Sequence, residues 1–314
     1  MNRDKKASPT SIGGQAVIEG IMMQGPEKQC IVVRKSDGCL EKEVRDIKKR
    51  KNGFSKLPVV RGCFSFVSSL KTGFWAINFS ASFFDVEEEN EAKPSKFEAF
   101  LEKKLGDKFN DAVIGFSVVL GILLAVLLFM LLPTLIAGFF ARFVENNILR
   151  SAFEGFVRIA IFVGYIFLVS LMPDIKRVFS YHGAEHKTIA CYEAGEELSV
   201  DNVSRHSCFH PRCGTSFLLI VMIVSIITFS FFSWNNVWQR MLIRILMLPI
   251  VAGISYEFLK LAGRHIENPI AKALSWPGLM LQRLTTNEPD SQMIEVAIES
   301  LKECIPQQEG ADKW

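Results

Sequence analysis

The chain has 314 residues, 49% of them hydrophobic and 22% charged, with 36 Lys and Arg against 33 Asp and Glu. A net charge of +3, dispersed and set beside apolar runs, argues against a nucleic-acid partner, and seven scattered cysteines argue against a disulfide framework. Two stretches without any charged residue, Ala112 to Ala141 and Gly214 to Gln239, are each long enough to cross a bilayer, which sets a wholly soluble fold aside.

The first 25 residues start polar and lack a continuous apolar core, so a cleaved signal peptide is not expected and the terminus reads as cytosolic. Residues 1–57 read as a small lobe. Gly13-Gly14 lead into the apolar AVIEGIMM, and IVV and the pair Val44/Ile47 flank an Asp37-Gly38 turn, which predicts a β-hairpin with one extra strand. Residues 58–84 are apolar and aromatic but carry Arg61 and Lys71, with Gly62 and Gly73 loosening any helix; this segment is expected to lie in the membrane interface or to re-enter. Residues 85–110 hold an acidic linker, Asp85 to Lys93, and then Phe97, Leu101, Leu105 and Phe109 at the spacing of an amphipathic helix.

Residues 111–173 should form two spans, the first within Ala112 to Phe140 and bearing Pro133. The second, built on Ile159 to Met172, must take in Arg158, which Glu154 one turn earlier can pair. Residues 216–259 supply a third span and a fourth, Met241 to Tyr256, which carries Arg244. Lys176, Arg177, Lys187, Arg205 and Arg212 lie between spans two and three, and Lys260, Arg264, Lys272 and Arg283 follow span four. Positive charge marks the inner side, so this loop and both termini are placed in the cytoplasm, with Trp234 and Trp238 at the outer interface. The expected fold is an α-helical, multi-pass protein of the cytoplasmic (plasma) membrane with about four transmembrane helices, a small N-terminal α+β cytoplasmic lobe and cytoplasmic loop helices. Residues 260–314 complete it as C-terminal cytoplasmic helices and tail.

The chemistry is expected in residues 174–215, a segment rich in His and Cys. After Pro173 the sequence DIKRVFSYHGAEHKTIACYEAG reads as a helix closed by Gly195. His182, Glu185 and His186 form H-x-x-E-H, so two imidazoles share one helix face and can reach one divalent metal, with Glu185 beside them as a general base. Downstream, His210-Pro-Arg-Cys213-Gly reads as a tight knuckle that can aim an imidazole and a thiolate at one point. A further ligand is open among Glu193, His210, Cys213 and Glu257. Glu257, at the inner end of span four, has Lys260 or Arg264 as an alternative salt-bridge partner. Glu19 and Arg61 could face the site or water, and His206 reads as a surface residue.

GGQAVIEGIMMQGP, LPVVRG, YHGAEHKTIACYEAG, HPRCGTSF and LQRLTTNEPDSQMIEVAIESL together resemble the YqhQ-like family of bacterial membrane proteins, over roughly Ser11 to Lys302. The resemblance implies a domain of unknown function held to be a metal-dependent enzyme, with its motifs falling on His182, Glu185, His186, His210, Arg212, Cys213 and the glycine segment with Glu19. The leading expectation is a membrane-bound hydrolase using zinc at the cytoplasmic face, on a lipid headgroup or peptide substrate. The alternatives are a scaffold with a structural metal site, engaging a membrane-protein partner or a second copy, and, more remotely, a transporter.

Overall fold

The computed structural model describes residues 9–47, 53, 57–84, 109–140, 143, 146–231, 237–264, 268–308 and 310–312. The expected linker and most of the amphipathic helix over 85–110, and Trp234, lie outside the described residues.

Four strands come first: β1 (Gly13–Val17), β2 (Gly20–Gln24), β3 (Lys28–Arg34) and β4 (Leu40–Asp46). They form an antiparallel meander in the order β1-β2-β3-β4. The segment AVIEGIMM is therefore two strands rather than one, because Val17 pairs with Gly20 across an Ile18-Glu19 turn and Glu19 takes φ 49. Among the described residues before Leu57 the lobe is this four-stranded sheet, one strand more than the expected hairpin with one extra strand. Gly38 closes the β3-β4 hairpin with φ 83, a conformation that suits glycine.

Strand periodicity divides the sheet into two faces. Ile21, Met23, Cys30 and Val32 join one core with Tyr181, Ile189, Val296 and Leu301, while Val17, Met22, Ile31, Val33 and Ala76 form the other. The first face is covered by α5 (Pro173–Glu193) and α10 (Ser291–Cys304), the second by α1 (Val60–Ala81). The Ser300 hydroxyl donates to Cys30 O at 2.8 Å and accepts from Met23 N at 3.1 Å, tying α10 to both central strands. α1 runs unbroken through Gly62 and Gly73 because both are packing contacts, not hinges.

The remaining helices are α2 (Phe109–Val126), a π-helical turn (Leu127–Leu131), α3 (Leu132–Phe140), α4 (Asn147–Ser170), α6 (Val200–Ser204), α7 (Gly214–Ser230), α8 (Val237–Arg264) and α9 (Pro269–Thr285). Among the described residues three helical stretches are long and apolar enough to cross a membrane: Gly115–Phe140, Ala152–Ser170 and Met241–Gly263. The expected third span is instead the 17-residue α7, since its helix stops at Ser230 although the uncharged run continues to Gln239. The two stretches expected as arginine-bearing spans both form helices of that length. Arg158 pairs with Glu154 at 3.2 Å, which also accepts from Thr134 Oγ1 at 3.0 Å, and Arg244 lies 5.5 Å from the Phe229 ring. Contacts divide the chain into two compact units, residues 1–84, 163–229 and 244–314 in one, 85–162 and 230–243 in the other. The sheet, α5 and α10 all belong to the first.

Candidate metal centre

α5 starts with Pro173, whose missing N–H costs nothing in the first turn, and Gly195 follows its end with φ 75. One face of the helix enters the core through Tyr181, Ala184 and Ile189. His182, Glu185 and His186 sit along the same helix, and His186 and Glu185 are buried with it.

Ligand atoms of His182, His186 and Cys213 lie within 4.8 Å of one another. The two imidazole centroids are 4.4 Å apart, as i, i+4 spacing dictates. His182 Nδ1–H donates to Thr285 O at 2.8 Å, and His186 Nδ1–H donates to Cys208 O at 2.6 Å. Each carbonyl fixes a tautomer and leaves Nε2 for the centre of the cluster. His182 Nε2 lies 3.2 Å from Cys213 Sγ, which Thr215 approaches with both its N–H (3.4 Å) and its hydroxyl (3.2 Å). Burial would raise the Cys213 thiol, but the two imidazoles hold it well below its ordinary value. His182 in turn, despite burial, is pushed up to about 9 by the Cys213 thiolate.

Glu185 is 5% exposed, and burial raises its carboxyl while the imidazoles pull the other way. A Gly14 backbone hydrogen bond reaches this carboxylate, and a Cβ on Gly14 would stand 2.9 Å from Glu185 Cδ. β1 therefore covers Glu185, and glycine is required for the close approach. Glu185 Oε2 has no hydrogen-bond partner among the described residues.

His210 is near but differently engaged. Its ring centroid is 5.6 Å from that of His186, yet its Nε2 faces Arg212 at 3.2 Å and Glu193 Oε2 at 3.7 Å, outside the ligand grouping. Glu193 also pairs with Arg212 and accepts from Thr10 N at 2.6 Å. Burial would raise Glu193, but His210, Arg212 and the Thr10 amide hold it low, while burial lowers His210. Of the four groups left open by the sequence, the structure thus brings Cys213 to the two histidines.

Glu257 and Arg61 are elsewhere: Glu257 pairs with Arg61 of α1 and accepts from Val59 N at 3.3 Å. Glu19 pairs with Arg177 at 2.5 Å and accepts from Tyr181 Oη at 3.1 Å. His206 is half-buried against Glu196 at 3.3 Å; with Cys191 these two form a second grouping, whose thiol burial pushes up to about 11.

Sequence reasoning missed the groups that hold the cluster in place. Gln282, fully buried, accepts from His210 N and donates to His210 O, both at 2.8 Å, clamping the knuckle that carries Cys213. Lys187 donates to Ser204 O (2.9 Å) and His206 O (2.8 Å) and pairs with Glu288 at 2.9 Å, fixing the loop that supplies Cys208 O. The TTNEP segment was visible as a motif, but backbone carbonyls such as Thr285 O carry no sequence signal.

Fold and cluster together define a mostly helical protein with three helices of membrane-crossing length and a four-stranded antiparallel sheet packed over a buried His/Cys/Glu group. The family described as "Protein of unknown function (DUF1385)" matches residues 57–307, and the chain belongs to it. The chain is also 35% identical over 310 residues to "Uncharacterized protein YqhQ" of Bacillus subtilis (strain 168), covering 96% of this chain and 94% of that protein. No solved structure matches the chain.

Proposed function

We propose that this protein is a membrane-bound, metal-dependent hydrolase whose ion is held by His182 Nε2, His186 Nε2 and Cys213 Sγ. The observation that carries the reading is the convergence of these three donors within 4.8 Å, with both Nδ1–H groups already committed to backbone carbonyls. Two imidazoles and a thiolate suit zinc, and three protein ligands leave a tetrahedral position free. A zinc ion held there would supply Lewis acidity and lower the pKa of water. Glu185, buried beside both histidines with Oε2 unpartnered, is the group that accepts a proton from an attacking water. The membrane-length helices favour a membrane-borne substrate, and Lys176, Arg177, Lys187, Arg205 and Arg212 around the cluster favour a cytoplasmic-face site.

Metal content of the detergent-purified chain tests this. About one zinc per chain is expected, lost in Cys213→Ser and in His182→Ala/His186→Ala. A wild type that stays metal-free after zinc reconstitution in reducing buffer sinks the proposal.

A second reading follows from burial: with His186 2%, Glu185 5% and Cys213 6% exposed, the cluster is a closed structural site, whose shell Glu185, standing outside the three-donor grouping, would move in to complete. Glu185→Gln separates the two. Zinc retained at wild-type affinity with hydrolysis lost supports the hydrolase; affinity lowered more than about tenfold supports the closed site.

A further inference from the structure

α1 is packed inside out for a soluble helix. The residues it turns into the protein are small, Gly62, Gly73, Ala76 and Ser80, all buried. Phe64, Val67, Leu70, Phe74 and Ile77 are 44–62% exposed, and their steps of three and four residues put them on one stripe. An apolar stripe of this size is not left to water.

Two contacts say what covers it. The N-terminal half is seated on α8, one of the membrane-length helices: a Cβ on Gly62 would lie 2.8 Å from Gly253 Cα, Cys63 Sγ donates to Pro249 O at 2.9 Å, and Glu257 holds both Arg61 and the Val59 amide. Val59 keeps a strained φ of 65 at this junction. On α8 itself Leu246 and Ile250 are likewise exposed apolar residues. The C-terminal half lies on the sheet, with Ala76 in its second core and Gly73 against the Gln15 side chain. That sheet ends in β4, whose Glu41, Glu43 and Arg45 are polar and belong in water. A helix bound along such a sheet cannot cross hydrocarbon, so its stripe meets a single leaflet in plane. Exposed Lys71 on the outward face suits an anionic headgroup layer.

β1 extends the consequence to the buried cluster. Gln15 packs on Gly73 of α1, and its neighbour Gly14, pointing to the other face, covers Glu185. Among the described residues β1 pairs with β2 alone, at the edge of the sheet, and α1 supports it from behind. Building on the membrane reading above, we propose that the Phe64, Val67, Leu70, Phe74 and Ile77 face of α1 is embedded in one leaflet of an anionic bilayer, and that this seating holds β1 over Glu185.

The test uses the full chain in vesicles of phosphatidylcholine and phosphatidylglycerol that contain a lipid with an acyl-chain diazirine, photolysed and mapped by mass spectrometry. Adducts are expected on the five outward residues of α1 and on α8. Adducts on α8 with none on α1 overturn this proposal and leave the membrane reading standing; adducts on no helix overturn both; labelling of α1 on both faces overturns in-plane seating. In the same vesicles Leu70→Asp/Phe74→Asp, outside the metal cluster, should raise amide exchange at Gly14 and Gln15 about tenfold while α5 stays protected. Unchanged exchange overturns the link to Glu185.

Discussion

Cys213 Sγ and His182 Nε2, 3.2 Å apart, shift each other's titration in opposite directions. Burial would lower His182, but the thiolate pushes it from 6.5 up to about 9, so its contribution to stability is full below pH 6.5 and lost as pH rises through about 9. Cys213 is lowered well below 9.0, so its contribution is full above that value and lost as pH falls through the lowered one. Where the folded protein holds imidazolium and thiolate and the unfolded chain holds imidazole and thiol, both states carry the same number of protons, and the pair leaves the metal-free protein's stability flat. Cys213→Ser removes the thiolate and leaves burial to dominate at His182. Its melting temperature in detergent should then fall as pH drops below 6.5, more steeply than in the wild type. Gln282→Leu strips both bonds from the His210 backbone, and leaving a buried N–H and C=O unpaired should cost roughly 2 kcal/mol of stability. Zinc affinity in chelator competition should fall about ten- to a hundredfold with it, because the Cys213 knuckle loosens.

Among elements, α5 and α10 decide the site. Gly183 on α5 faces the Asn287 carbonyl so closely that no Cβ fits, and Asn287 N donates to Phe179 O at 2.9 Å on the same helix. Gly183→Ala should cost about 1–3 kcal/mol by overpacking and shift the Thr285 carbonyl that orients His182. α10 is capped by Asp290 Oδ1, which accepts from Met293 N at 2.9 Å, and packs through fully buried Leu301. Asp290→Ala should cost about 1 kcal/mol and Leu301→Ala about 2–5 kcal/mol, both read from denaturant midpoints in detergent. The helices α5 and α10 were legible because their apolar spacing, Pro173, Gly195 and the Pro289 turn all agree. The β1-β2 turn was not, since Ile18-Glu19 holds no turn former and only pairing of Val17 with Gly20 reveals it.

At the scale of the molecule, the sheet of the N-terminal lobe, the His/Cys-rich helix and the C-terminal helix share one core although the sequence separates them widely. Deleting the chain beyond residue 290 should therefore expose Ile21, Met23, Cys30 and Val32 and make the N-terminal sheet sensitive to brief proteolysis, whereas an intact chain resists. The low burial of the helical stretches Gly115–Phe140 and Ala152–Ser170, 11% of each window, leads to the expectation that the full chain stays in the membrane pellet after alkaline carbonate. Recovery of the chain in the supernatant would count against membrane insertion.

The sequence by itself determined the helical, apolar character of the chain, the helix that carries His182, Glu185 and His186, and the Glu154–Arg158 pair, because each depends on spacing within a few residues. It expected four crossing helices, of which three reach full membrane-crossing length among the described residues while the helix from Gly214 stops at Ser230, since an uncharged stretch bounds a helix without ending it. Only the tertiary structure brought Cys213, rather than Glu193, His210 or Glu257, to His182 and His186, set Glu257 against Arg61, and placed Gly14 over Glu185. Those choices rest on contacts between residues tens to hundreds of positions apart, and no local pattern encodes which partner a buried charge finds.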